Sequence, residues 1–276
     1  MRALPAGVKI SLIIVNMLVM IVLVLAVVSV AIPGNINLDL PQESDWNIEF
    51  QGNLLVVEVP LRIYNGGSFD FTDFQVGLDI EDGQGGHLVE QVTPPQDIKA
   101  GGWTDAPIHF EIDISTIPNQ TLEKIVFTND TMGLQVSAGA GYLFSLVKGN
   151  VQLNQNITLG PMITDLYADV NSSHLVPDTG HVDLIIPFAF HNQDFLDGQD
   201  LQVSGALRNG TTVLGSALQT VRMPLSSPSG LTFHLTDQAA LYLATHSGQL
   251  TADMTFNFHG AILRQTYHFY WVPPTP

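Results

Sequence analysis

Two stretches with an apolar residue at every second position constrain this chain more than any other feature. Leu55 to Tyr64 reads LVVEVPLRIY, with Val57, Val59, Leu61 and Ile63 on one side and Glu58, Pro60, Arg62 and Tyr64 on the other. Side chains of a strand point alternately to opposite faces, so this period of two predicts an antiparallel strand with one face on a core. Pro60 has no N–H to give to a ladder, which predicts an edge strand or a bulge there. Val182 to Asn192, VDLIIPFAFHN, repeats the pattern: Leu184, Ile186, Phe188 and Phe190 form the apolar face, and Pro187 stands to Asn192 as Pro60 stands to Asn65. At the same offset Asp73-Phe74-Gln75-Val76 matches Asp200-Leu201-Gln202-Val203, and Phe69 matches Phe195 with a shift of one residue.

Turn signals follow in both halves, Glu81-Asp82-Gly83-Gln84-Gly85-Gly86 and Arg208-Asn209-Gly210-Thr211, and then short apolar runs at Phe110 to Ile114 and Leu231 to Leu235. In-register blocks with matching inward faces predict a duplicated unit, residues 36–158 and 159–276. The polar stretch Asn154 to Pro161, broken by Gly-Pro, is the expected junction. Each half has the size and strand spacing of a seven- or eight-stranded β-sandwich. No amphipathic helix is expected beyond residue 35.

Ahead of this lies an uncharged apolar run, Ile10 to Ile32, ISLIIVNMLVMIVLVLAVVSVAI. As a helix it is about 34 Å long at 1.5 Å per residue, against a hydrocarbon core of about 30 Å. Arg2 and Lys9 precede it and the first acidic residue is Asp39. The positive-inside rule then keeps residues 1–9 cytoplasmic, makes 10–32 a transmembrane signal anchor in the lipid bilayer, and exports the rest. A cleaved signal peptide is the competing reading, since Ser29-Val30-Ala31 has the small-x-small form of a cleavage site. The length of the run exceeds the usual apolar region of such a peptide and favours the anchor.

Five Asn-x-Ser/Thr sequons occur, at Asn119, Asn129, Asn156, Asn171 and Asn209, all beyond the apolar run. About two would arise by chance, so they support export and N-glycans as partners. The balance of nine Lys and Arg against 26 Asp and Glu, net −17, excludes a basic nucleic-acid surface. With no cysteine, disulfides, thiolate metal sites and cysteine nucleophiles are excluded as well.

The strand Val57-Glu58-Val59-Pro60-Leu61-Arg62-Ile63-Tyr64-Asn65, a small-residue turn, Phe69 and a new strand at Phe74 resemble the late-embryogenesis-abundant group 2, or water-stress-and-hypersensitive-response (WHy), domain. That family runs an alternating strand into Asn-Pro-Asn. Asn65-Gly66-Gly67 and Asn192-Gln193-Asp194 keep only the first Asn. Gly101-Gly102 before an alternating strand is similar to the family's loop between strands. The resemblance implies a mainly β chain of two tandem immunoglobulin-like antiparallel β-sandwiches, a link to stress tolerance, and no catalytic residues. Physically, Asn65 and Asn192 suit strand exits, because Asn closes turns through its own side chain and tolerates left-handed φ.

Motifs for catalysis are missing: no H-E-x-x-H, P-loop, G-x-G-x-x-G or G-x-S-x-G is present. Nine histidines (87, 109, 174, 181, 191, 234, 246, 259 and 268) are scattered, and a metal site would need them to converge from distant strands. Asp79, Glu81 and Asp82 form an acidic loop with the oxygens for weak calcium binding, although Asp82-Gly83 is equally a hairpin turn. Asp194, Asp197 and Asp200 form a second, read as standing at the equivalent place in the repeat. Trp46, Trp103 and Trp271 are expected to pack in cores or edges rather than on a sugar.

The sequence therefore predicts a non-enzymatic, single-pass cell-membrane protein with extracellular domains, no cofactor, and cell-surface partners or self-association. Two alternatives stand beside it. One is a pilin-like filament subunit with its hydrophobic helix and β head. The other is a secreted carbohydrate-active or calcium-binding module.

Overall fold

A computed structural model describes residues 36–39, 47–83, 86–142, 147–159, 161–178, 181–225 and 228–274. The expected cytoplasmic segment 1–9, the transmembrane segment 10–32 and Trp46 lie outside the described residues. Among those described, no helix is long and apolar enough to cross a membrane.

The chain is mainly β and every strand pairing is antiparallel. The described residues divide into two compact units, those from 36 to 121 with 129–159, and 122–128 with those from 161 to 274. The first holds β1 (Ile36–Asp39), β2 (Asn47–Gln51), β3 (Leu54–Val59), β4 (Arg62–Asn65), β5 (Phe71–Glu81), β6 (His87–Val92), β7 (Gln96–Ile98), β8 (Gly102–Asp105), β9 (Ile108–Asp113), β10 (Asp130–Tyr142) and β11 (Val147–Leu159). Helix α1 (Asn119–Phe127) separates β9 from β10. The second holds β12 (Ile163–Ala168), β13 (His174–Asp178), β14 (His181–Asn192), β15 (Asp200–Asn209), β16 (Thr212–Arg222), β17 (Ser229–Leu235), helix α2 (Asp237–Thr245), β18 (Gly248–Phe258) and β19 (Ala261–Trp271).

The first unit has three sheets, β1-β4-β8, β2-β3-β9 and β11-β10-β5-β6, with β7 also on β5. The second has one sheet, β12-β14-β17-β16-β15-β18-β19, with β13 also on β14. β16 and β17 share two register pairs, Gly215↔Leu235 and Ser216↔His234, with a side-chain bond from Gln219 to Ser229. The Ala168 backbone meets the Tyr267 hydroxyl of β19, so the sheet is nearly closed and barrel-like.

The same order recurs in the two units. The run β11-β10-β5-β6 corresponds to β19-β18-β15-β16, the pair β3–β9 to β14–β17, and a nine-residue helix precedes β10 as another precedes β18. Eleven strands in the first unit exceed the seven or eight expected. Prolines cut its strands short: Pro60 between β3 and β4, Pro94-Pro95 between β6 and β7, and Pro107 between β8 and β9. Each removes a ladder donor.

The inward faces follow the alternation. Leu184, Ile186, Phe188 and Phe190 are all buried, and so are Val59, Leu61 and Ile63. Val57 is only half-buried, and Val56 beside it is buried instead. The Gly-rich run in β10 contains a register shift against β5 between Gly139 and Gly141. Gly205 allows a close approach, because a Cβ there would lie 2.9 Å from the Phe233 ring.

Two helices correct the expectation of none. At nine residues each they are too short to declare a helical period in sequence, and helices of that length are held by packing. In α2 the Thr236 side chain accepts from the Ala239 N–H as an N-cap, Ala239 and Leu243 are buried, and Trp271 Nε1 donates to the Leu243 carbonyl at 2.7 Å. In α1 Leu122, Ile125 and Val126 are buried, and the Met162 N–H donates to the Ile125 carbonyl. This part of α1 groups with the second unit, whereas sequence continuity places it in the first. Which core covers an apolar helix face is a matter of tertiary contact that adjacency in the chain does not settle.

Candidate functional site

The strand exits are where the matched asparagines sit, and they are built differently. Asn65 is fully buried. Its Nδ2 donates to the Phe69 carbonyl at 2.9 Å and the Ile98 carbonyl at 3.2 Å, and its Oδ1 accepts from the Gly67 N–H at 3.0 Å. The Gly101 N–H reaches the Asn65 carbonyl at 2.7 Å, with Gly101 at φ +73°. This is turn chemistry, with the side-chain amide satisfied at both its nitrogen and its oxygen. Asn192 is half-buried and donates to the Gln193 carbonyl at 2.9 Å and to Asp197 Oδ1 at 3.0 Å.

Of the acidic candidates, Asp79 and Glu81 sit two residues apart on β5, and the register sets Glu81 opposite His87 of β6. His87 Nδ1 is 2.9 Å from Asp79 Oδ1 and 3.8 Å from Glu81 Oε1, so the three can offer ligand atoms to one ion. The Asp79 hydrogen bond and charge raise the His87 pKa. Asp82 instead closes the turn, its Oδ1 accepting from the Gly86 N–H at 2.7 Å.

Asp194, Asp197 and Asp200 are exposed and do not converge with one another as a ligand group. Asp194 opens a 3-10 turn over Asp194–Leu196, Asp197 accepts from Asn192, and Asp200 begins β15 opposite Arg222. The two acidic groups are not equivalent: one lies at the end of β5 and in the turn after it, the other leads into the start of β15, at opposite ends of matching strands. Acidic composition alone carries no information about which end of a strand a loop occupies.

A second group is one the local sequence does not mark. His181 and Asp183 lie on the same face of β14, and His234 on β17 stands directly opposite Asp183. His234 Nδ1 is 3.0 Å and His181 Nε2 is 3.6 Å from the same oxygen, Asp183 Oδ1. The ligand atoms of all three residues lie within 4.8 Å of one another. The Asp183 side chain is only 9% exposed, His181 is 38% and His234 66% exposed. The imidazoles meet edge to face at 5.9 Å, and Asp178 Oδ2 lies 3.3 Å from His181 Nε2. Alternation could have shown His181 and Asp183 sharing a face; the arrival of His234 depends on long-range register.

Among the sequons, Asn119, Asn129, Asn156 and Asn171 are exposed. Asn209 is half-buried at the β15–β16 turn and donates to the Tyr242 hydroxyl at 2.9 Å. Trp271 is buried, whereas Trp103 is half exposed and stacks obliquely on Tyr64 at 5.4 Å with the Arg62 guanidinium over its ring.

No family model matches the chain, and no curated protein matches it. Among solved structures, red sea bream transglutaminase is 11% identical with a TM-score of 0.26, over 80% of this chain and 30% of that one. The YadV chaperone is 10% identical with a TM-score of 0.23, over 79% of this chain and 100% of its own. A structure titled pT26-6p is 10% identical with a TM-score of 0.33, over 86% and 64%. Likenesses this slight carry no functional argument.

Proposed function

We propose that the chain is a non-enzymatic, membrane-anchored extracellular protein of the WHy kind, built from two tandem immunoglobulin-like β-sandwiches, that acts by presenting surface to cell-surface partners. The repeated strand order, with an asparagine ending the strand at the same place in both copies, is the observation that carries this reading. On this reading a fold of the second unit's sheet at the two-pair link between β16 and β17 would set β12, β13, β14 and β17 against β16, β15, β18 and β19 as the two layers. The anchor is the apolar run 10–32, with the basic residues Arg2 and Lys9 holding the N-terminus inside. The acidic surface keeps the exported part soluble, and exposed sequons such as Asn119 and Asn171 are the glycan positions.

Two measurements test this. Protease added to intact cells is expected to digest residues 35–276 and spare the N-terminal segment; protection of the β units overturns the orientation. Alanine variants of Asp79, Glu81, Asp82, Asp194, Asp197, Asp200 and the nine histidines are expected to give small, graded losses in whatever phenotype deletion produces. One folded variant with complete loss overturns the non-enzymatic reading, because removing a catalytic group costs orders of magnitude in rate.

A further inference from the structure

We propose that His181, Asp183 and His234 form a binding site for a divalent transition-metal ion of the zinc class, held by two imidazoles and one carboxylate on the outward face of β14 and β17. The backbone places the donors before any ion arrives. His181 and Asp183 are separated by one residue in a strand, so they project from the same face, and the β14–β17 register brings His234 across from Asp183. The inward positions Leu184 and Phe233 are wholly buried, so this strand pair is anchored in the core from below.

The spacing suits coordination. Zinc bonds to imidazole nitrogen and carboxylate oxygen are about 2.0–2.2 Å, and two ligands of a tetrahedral ion at that radius are about 3.3 Å apart. The contacts of 3.0 Å and 3.6 Å to Asp183 Oδ1 bracket that edge length. Three protein ligands would leave a fourth position for water, and the His234 side chain is exposed. That exposure also supplies the entry path.

The donor set decides the class of ion. Two nitrogens and one oxygen favour zinc, nickel or copper over calcium and magnesium, which take oxygen ligands. The burial of Asp183 suits the same class: its side chain is nine-tenths out of water, where a carboxylate is held by hydrogen bonds, an ion pair or a metal ion. The Asp79, Glu81 and His87 group has two carboxylates and one nitrogen on an exposed hairpin, so it serves as the internal control. The site is independent of whether the chain is anchored or cleaved.

The experiment is isothermal titration calorimetry of the full chain in detergent micelles with zinc chloride at neutral pH. One strong site per chain is expected. His234→Gln and His181→Gln should each weaken it by more than the roughly 10–100-fold typical of losing an outer-shell partner. His87→Gln should leave it unchanged. Asp183→Asn should weaken it as well; if that variant misfolds, the two histidine variants, whose side chains are partly exposed, decide the matter. Calcium in hundredfold excess should not displace the zinc. Absence of zinc binding below millimolar concentration, retention of the site in both histidine variants, its loss in His87→Gln, or displacement by calcium would each overturn the proposal.

Discussion

Pro60 and Pro187 occupy the same place in the two copies of one strand, yet the strand breaks at the first and runs through the second. On one side the copies behave alike. Below Pro60 the partner is β2 and above it β1; below Pro187 the partner is β13 and above it β12. On the other side they differ. The first unit again changes partner, from β9 to β8, across Ala106-Pro107. In the second, β17 alone spans Asp183 to Phe188 and sets Gly230 opposite Pro187. A missing donor alone does not end a strand. The strand ends where both neighbours are interrupted at the same level, and it survives where one neighbour continues.

The comparison can be broken most forcefully at the core faces. Val59→Asp and Ile186→Asp each put an unpaired carboxylate where the wild-type side chain is buried. Each is expected to cost about 3–5 kcal/mol in urea unfolding. If Val59→Asp is nearly neutral, the broken strand of the first unit is not a core element and its likeness to β14 fails.

The asparagines come next. Asn65→Ala leaves the Gly67 N–H and the Phe69 and Ile98 carbonyls without their partner in a buried site, for an expected loss of about 2–3 kcal/mol. Asn192→Ala removes bonds at a half-exposed site and is expected to cost under about 1 kcal/mol. Equal losses by thermal unfolding would show that the burial difference is without consequence.

A smaller effect sharpens the contrast between the helices. Thr236→Ala removes the cap of α2 and is expected to cost about 1 kcal/mol, read by urea unfolding. An unchanged midpoint would mean that Trp271 and Leu243 hold the helix without it.

The smallest effects separate the units by pH. In the first, His109 has its pKa raised by its hydrogen bonds to Glu111 and Glu58, and His87 by Asp79. Their contribution is full below about pH 6.5 and is lost as pH rises through the raised values. In the second, burial lowers the pKa of His259. Its contribution is full above about pH 6.5 and is lost as pH falls toward the lowered value. Acidification from pH 7.5 to 6 should therefore favour the first unit through these residues and disfavour the second. Histidine ring resonances followed by NMR would check this, and a His259 that titrates above His109 would reverse the assignment.

Much of the fold was legible in the residues. The alternation of Leu184, Ile186, Phe188 and Phe190 names a buried face because a strand has a period of two, whatever packs against it. Asn65 announces a turn because its side chain satisfies backbone groups within reach of its own position. The short helices stayed hidden, since nine residues show barely two turns of apolar period.

Local chemistry is what the sequence determined by itself: the strand character of Leu55–Tyr64 and Val182–Asn192, their inward faces, the turns at Asn65 and Asn209, and the repeat that links them. Tertiary structure alone decided which strands lie side by side. Asp79 and Glu81 met His87 through a short hairpin, which the turn at Asp82 already indicated. His234 met Asp183 through a pairing between strands distant in the chain. The physical reason is that a period or a turn is set by forces within a few residues, whereas register is set by how whole faces bury together. A shift of one residue along β17 would send His234 to the core face and dissolve the cluster without changing a single local preference.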